Sequence, residues 1–220
     1  VIAVLDYGIG NLRSAQKALC HVGGDARLID RPSGAKGASG VVLPGVGAFG
    51  ACADALSKSG LDVTARQAID DGVPFLGLCV GFQLLFEASE ESPGVKGLGV
   101  FSGTIRKLSE EVKLPQMQWN VVQRAKGRSP AMFAGMPEAP WFYFVHSFAP
   151  MPRETEQDVI AATCDYGGPF VAAIERGSCW GTQFHPEKSG SFGLKLLSSF
   201  VEMSEERVGR SRTTRVEPKA

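Results

Sequence analysis

The chain of 220 residues has no excess of either charge, since 23 Lys and Arg balance 23 Asp and Glu. That removes the electrostatic case for nucleic acid or an anionic membrane as a partner. It also has no apolar stretch near the ~18–20 residues that span a bilayer. Val1 to Asp6 carry no basic segment ahead of their apolar run and read as a strand, not a signal peptide. The five cysteines form no Cys-x-x-Cys pair, which argues against the common zinc and thioredoxin-type spacings. No metal constellation stands out, no cofactor is expected, and no internal repeat is visible. Gly8-Ile9-Gly10 lacks the third glycine of a dinucleotide fingerprint, so a dehydrogenase reading is weak. An odd set of thiols at irregular spacing suits a reducing cytoplasm. Of these, Cys20, Cys52, Cys164 and Cys179 read as small core or helix residues.

What remains is ordinary globular composition, 44% hydrophobic and 21% charged, enough for one sizeable core. Short apolar runs at 1–6, 25–29, 40–43 and 73–78 alternate with helical spacing at 11–22, 48–58, 61–71 and from Cys79 to about Glu87. That alternation predicts an α/β fold: a mostly parallel central sheet flanked by helices. The texture changes after Pro93. Residues 97–125 and 140–184 offer short strand-like runs, which predict an additional antiparallel region. An amphipathic helix over 189–203 closes a domain spanning 1–203. Residues 204–220 are rich in Arg and Glu with little to bury, and predict a disordered tail. A basic contact with a partner or RNA is the second reading of that tail.

The most informative stretch is Val73-Pro74-Phe75-Leu76-Gly77-Leu78-Cys79-Val80-Gly81-Phe82-Gln83. It reads as a buried strand, a sharp turn and the first turn of a helix. Gly77 and Gly81 flank Cys79 at the spacing of a nucleophile elbow, with cysteine in the place of serine. A helix N-terminus there favours the thiolate. A second element lies at Gln183-Phe184-His185-Pro186-Glu187. A histidine two residues before a carboxylate supplies a base and the group that orients it. Together they predict a Cys79–His185–Glu187 triad, although chain order alone does not place His185 beside Cys79. The Val80 N–H is a natural oxyanion donor. Pro44-Gly45-Val46-Gly47 can offer another, or its glycines serve turn geometry alone.

Around Cys79 and His185 the motifs GLCVGFQLLF and QFHPEKS resemble class I glutamine amidotransferases, which release ammonia from glutamine through a Cys-His-Glu triad. The opening DYGIGNLRS, the loop PGVGAF, and Met117-Gln118-Trp119-Asn120, Tyr143 to Ser147 and Lys188-Ser189 narrow the resemblance to the family of glutaminase subunits of imidazole glycerol phosphate synthase. The resemblance spans about residues 1–202 and implies several further properties. Glutamine is held near Gly47, Gln83, Ser147 and Phe148. Val46 and Val80 form the oxyanion hole, the Val46 peptide reorienting first. Asn11, Trp119, Asn120 and Lys188 meet a (β/α)₈-barrel cyclase that receives the ammonia and makes imidazole glycerol phosphate and AICAR ribonucleotide. Asn11 reads equally as a helix N-cap, and Trp119 as plain core. This chain departs from the family's common His-Met-Gly-Trp-Asn at Gln116 and Gln118, the latter adding bulk at the expected interface. Two other readings differ: a glutaminase feeding another synthase or acting as a free-standing cysteine amidase, and a scaffold without activity.

Overall fold

The computed structural model describes the backbone of residues 1–213 and the side chains of residues 1–207. The first half delivers the expected alternation: β1 (Ile2–Leu5), α1 (Leu12–His21), β2 (Ala26–Ile29), β3 (Gly40–Leu43), α2 (Phe49–Ser59), α3 (Leu61–Asp70), β4 (Phe75–Leu78) and α4 (Val80–Gln83). Ala15 and Leu19 of α1 are buried on one stripe, as the helical spacing requires. Gly60, in the left-handed region at φ 72°, ends α2 and lets α3 start at once.

The second half carries β5 (Ala88–Ser89), β6 (Gly103–Lys107), β7 (Gln116–Val121), β8 (Gln123–Arg124), β9 (Trp141–His146), β10 (Phe148–Pro152), β11 (Ile160–Asp165), β12 (Pro169–Arg176), β13 (Cys179–Thr182) and α5 (Gly190–Thr213). Eight strands form one sheet in the order β2-β1-β3-β4-β13-β12-β11-β8. Pairing is parallel from β2 through β13 and antiparallel from β13 to β8. The antiparallel region is thus an extension of the parallel sheet. Two small sheets flank it, β10-β6-β5 and the ribbon β7-β9.

Strand residues alternate between two cores. Ile2, Val4, Val42 and Leu76 pack with Leu19, Leu196 and Phe200 of α1 and α5. Ala3, Leu5, Val41, Leu43 and Phe75 pack with Phe49, Leu56, Leu61 and Ala65 of α2 and α3. Covering both faces explains why these strands read as continuous apolar runs.

Two expected boundaries move. The helix after Cys79 stops at Gln83, not near Glu87. Beyond Leu84 the N–H groups leave the α pattern: Leu85 N donates to Phe82 O at 3.1 Å and Phe86 N to Gln83 O at 3.0 Å, each three residues back, and Glu87 N donates to Gly103 O at 3.2 Å. Further on, the last helix does not end at 203 but runs to Thr213. Ser204 is fully buried, its hydroxyl donating to Phe200 O at 2.8 Å; it lies beside Gly40, where a Cβ would come within 2.4 Å of Ser204 Oγ. The rest of the predicted tail, 214–220, lies outside the described residues.

Candidate active site

The site grows from the pairing of β4 with β13. Leu78 stands opposite Thr182 in parallel register, so Cys79 and the segment after Thr182 leave the sheet at the same carboxyl end. Cys79 N donates to Thr182 O at 2.8 Å. Cys79 itself has φ 52°, the one non-glycine residue with positive φ among those described. A side chain in that region is strained, as at a nucleophile elbow. The flanking glycines are required by close approach. A Cβ on Gly81 would lie 1.9 Å from Leu43 O, and one on Gly77 2.9 Å from Phe82 Cα.

His185 is held by long-range bonds. Phe184 stacks on Phe142 at 4.0 Å between ring centroids and is fully buried; burying such a ring contributes about 1.5–3 kcal/mol. His185 N donates to Tyr143 O at 3.0 Å. Ser189 completes the clamp, accepting from Tyr143 N at 3.0 Å and donating to His185 O at 2.6 Å. His185 Nδ1 lies 2.8 Å from Glu187 Oε1, both side chains buried, while Nε2 has no protein partner. Burial opposes the imidazolium, but the Cys79 sulfur and the Glu187 carboxylate outweigh it and push His185 up to about 10.

Cys79 and His185 line one cavity of about 360 Å³, together with Val46, Gly47, Val80, Gln83, Ser147, Phe148 and Lys188. Glu187 sits behind His185. Trp119 and Asn120 lie on the ribbon, and Asn11 at the start of α1; none of the three lines the cavity. Trp119 is half-exposed, packs edge-on to Tyr143 with centroids 6.3 Å apart, and shares its face with exposed Met117 and Trp141. It is therefore not plain core. Lys188 Nζ stands 5.9 Å from the Tyr143 ring centre. Asn120 is occupied within the chain, donating to Asp165 O at 2.9 Å and accepting from Val121 N at 2.8 Å. Asn11 takes the N-cap position but makes no capping bond. Gln118 is exposed on the ribbon.

The Pro44–Gly47 loop crosses directly over the elbow. Gly45 has no room for a side chain, since a Cβ would lie 2.5 Å from Gly81 N. Gly45 O accepts from Val80 N at 3.4 Å, so the carbonyl of the Gly45–Val46 peptide occupies the Val80 N–H. In a trans peptide the Val46 N–H then points the opposite way.

The sequence pattern did not single out His146, Glu91 or Gln183 for roles. His146 and Glu91 line the cavity. His146 Nδ1 meets Phe148 O at 2.8 Å. Burial pushes His146 down to about 4, against the Phe148 carbonyl and helped by the nearby His185. Glu91 Oε2 accepts from Phe49 N at 2.7 Å. The signal for Gln183 was available: a polar residue inside the apolar run Trp180 to Phe184 must find buried partners.

Residues 3–203 match the family model described as Glutamine amidotransferase class-I. The chain is 45% identical over 202 residues to imidazole glycerol phosphate synthase subunit HisH of Moorella thermoacetica, covering 92% of this chain and 94% of that one.

The chain belongs to the class I glutamine amidotransferases, among the HisH subunits.

A second relative, the HisH subunit of Acinetobacter baylyi, is 44% identical, with 91% and 97% covered. A crystal structure of a glutamine amidotransferase superposes with a TM-score of 0.71 over 93% of this chain and 99% of that one, at 19% identity. That likeness supports the fold. This amidotransferase carries no group of three or more His, Cys, Asp or Glu able to hold a metal among the described residues, and no helix long and apolar enough to cross a membrane.

Proposed function

We propose that this protein is the glutaminase subunit of imidazole glycerol phosphate synthase. It hydrolyses L-glutamine to glutamate and ammonia through Cys79, His185 and Glu187. The ammonia passes to a (β/α)₈-barrel cyclase partner, which makes imidazole glycerol phosphate and AICAR ribonucleotide in histidine biosynthesis, a cytoplasmic pathway. The observation that carries the chemistry is a buried His185–Glu187 pair at 2.8 Å whose imidazole lines the same cavity as a cysteine with φ 52°.

The Cys79 thiolate attacks the side-chain amide carbon of glutamine, and the carbonyl electrons move to oxygen. His185 Nε2, free of other partners, gives its proton to the amide nitrogen. The C–N bond breaks, ammonia leaves and a thioester remains. Acylation removes the negative sulfur that helped hold the proton on His185, so the imidazole becomes a competent base. It takes a proton from water, the hydroxide oxygen bonds to the acyl carbon, and the C–S bond breaks to release glutamate. Glu187 keeps the Nδ1–H tautomer and stabilises the imidazolium throughout.

The oxyanion requires donors, and here the Gly45–Val46 peptide blocks one and withholds the other. Turning that single peptide over would release Val80 N–H and bring Val46 N–H into the site. An incomplete oxyanion hole costs on the order of 10²–10³ in rate. The resting subunit is therefore slow, and docking of the cyclase with its ribonucleotide substrate promotes the turn. Glutamine lies near Gly47, Gln83, Ser147 and Phe148, and the cyclase meets the face bearing Asn11, Trp119, Asn120 and Lys188.

The test is glutamate release by the subunit alone, then with the cyclase and its ribonucleotide substrate. A large rise only in the complex supports the reading. Fast turnover alone, with no response to the cyclase, supports a free-standing cysteine amidase instead.

A further inference from the structure

The helix after Cys79 is four residues long, so its macrodipole gives the sulfur little help, because the dipole is a sum over aligned peptides. A second donor stands beside the sulfur. Gln183 Nε2 lies 3.7 Å from Cys79 Sγ, and Gln183 is fully buried. An amide has a donor end and an acceptor end, and which one meets the sulfur decides between stabilising and repelling a thiolate.

A chain of contacts settles the choice. Phe148 O can only accept. The Gln83 atom 2.9 Å from it is therefore the nitrogen, Nε2. That same nitrogen lies 3.0 Å from Gln183, so the Gln183 atom it meets is the acceptor, Oε1. The other end of Gln183, the N–H₂, is then the one turned to the sulfur. Both hydrogens of Gln83 are committed, and Gln83 is itself buried. Flipping either amide would set oxygen against oxygen or nitrogen against nitrogen.

We propose that Gln183 is the donor that holds the Cys79 sulfur as a thiolate, and that the Phe148 carbonyl, acting through Gln83, fixes the end of the Gln183 amide presented to it. The inference rests on Cys79 being the nucleophile. Gln83 is in this sense a positioning residue, and the Ser147–Phe148 segment expected to hold substrate also orients the group beside the nucleophile. The other titratable groups around the sulfur are His185, backed by Glu187; Tyr7 and Cys52, both raised by burial and so uncharged near neutrality; and, lining the same cavity, Glu91, His146 and Lys188.

The experiment is alkylation of Cys79 by iodoacetamide across pH, followed by mass spectrometry of the Cys79 peptide so that the other thiols do not interfere. Gln183→Met keeps the side-chain volume and removes the donor. The alkylation midpoint should rise by roughly one pH unit, a tenfold lower thiolate fraction. Gln83→Met, which leaves Gln183 in place but frees its amide, should shift the midpoint in the same direction by less. The double variant should move no further than Gln183→Met alone. Coincident wild-type and Gln183→Met profiles, or additive shifts, would overturn the proposal while leaving Cys79 as nucleophile. No pH-dependent alkylation of wild-type Cys79 would sink the nucleophile reading itself. Should Gln183→Met fail to fold by circular dichroism, Gln83→Met carries the test: an unmoved midpoint overturns the relay.

Discussion

The amide of Cys79 donates to the carbonyl of Thr182 across 2.8 Å. One backbone bond thereby ties the last turn before the candidate nucleophile to the strand that runs into His185. The two strand ends are neighbours in a parallel pair, and Gln183 and Phe184 span the remaining gap between Thr182 and His185. The proximity of thiol and imidazole is thus a property of the sheet.

Cys79→Ala should abolish glutamine-dependent activity of the cyclase complex and spare its activity with added ammonia. Both rates measured on the same preparation check this. Retained glutamine-dependent activity would remove the assignment of Cys79 to glutamine chemistry, and loss of both rates would indicate damaged folding or assembly instead.

Glu187→Gln should keep the fold and lower glutamine-dependent turnover by on the order of 10²–10⁴, as expected when the group orienting a catalytic imidazole loses its charge. Ammonia-dependent turnover of the complex is the control. An unchanged glutaminase rate would remove Glu187 from the mechanism.

Gly81→Ala should destabilise the protein by about 1–3 kcal/mol, because the new methyl must share space with Leu43 O at 1.9 Å. That atom is backbone of β3 and cannot swing aside as a side chain would. The urea midpoint of unfolding reads the change, and a midpoint equal to wild type would contradict the packing at the elbow.

His146 ties stability to pH. Its folded value, pushed down to about 4 from 6.5 by burial, means that the unfolded chain binds the extra proton first. The stabilisation from keeping it neutral is present above about 6.5 and is lost as pH falls towards 4. His146→Gln should therefore flatten the melting temperature between pH 6.5 and 4 relative to wild type. Parallel slopes for the two proteins would refute the assignment.

Trp119→Ala and Trp141→Ala should weaken binding to the cyclase with little effect on the subunit's own melting temperature. Both rings are about half exposed, at 46% and 51%, and exposed aromatics of this kind anchor interfaces. Titration calorimetry against the cyclase decides, and unaltered affinity for both variants would move the interface off the ribbon.

The sequence by itself determined the layered α/β fold, because continuous apolar strands between amphipathic helices have few other ways to bury both faces. It also marked the elbow, since a cysteine between two glycines after a buried strand signals a backbone that turns where no side chain fits. These are local signals, carried by neighbouring residues. Tertiary structure decided what depends on groups arriving from far along the chain. The helix after Cys79 ends early as its next N–H groups bond three residues back and the N–H of Glu87 finds the carbonyl of Gly103 instead. Helix α5 passes 203 because Ser204 finds a buried place beside Gly40, which a polar composition does not reveal. The Val80 N–H is covered by Gly45 O, from a loop more than thirty positions earlier. The direction of the Gln183 amide is set by Phe148 O through Gln83. A carbonyl or an amide has no pattern in sequence that says which partner it will meet. Only packing brings that partner within hydrogen-bond reach, and only there does the cost of leaving a buried polar group unpaired select one arrangement.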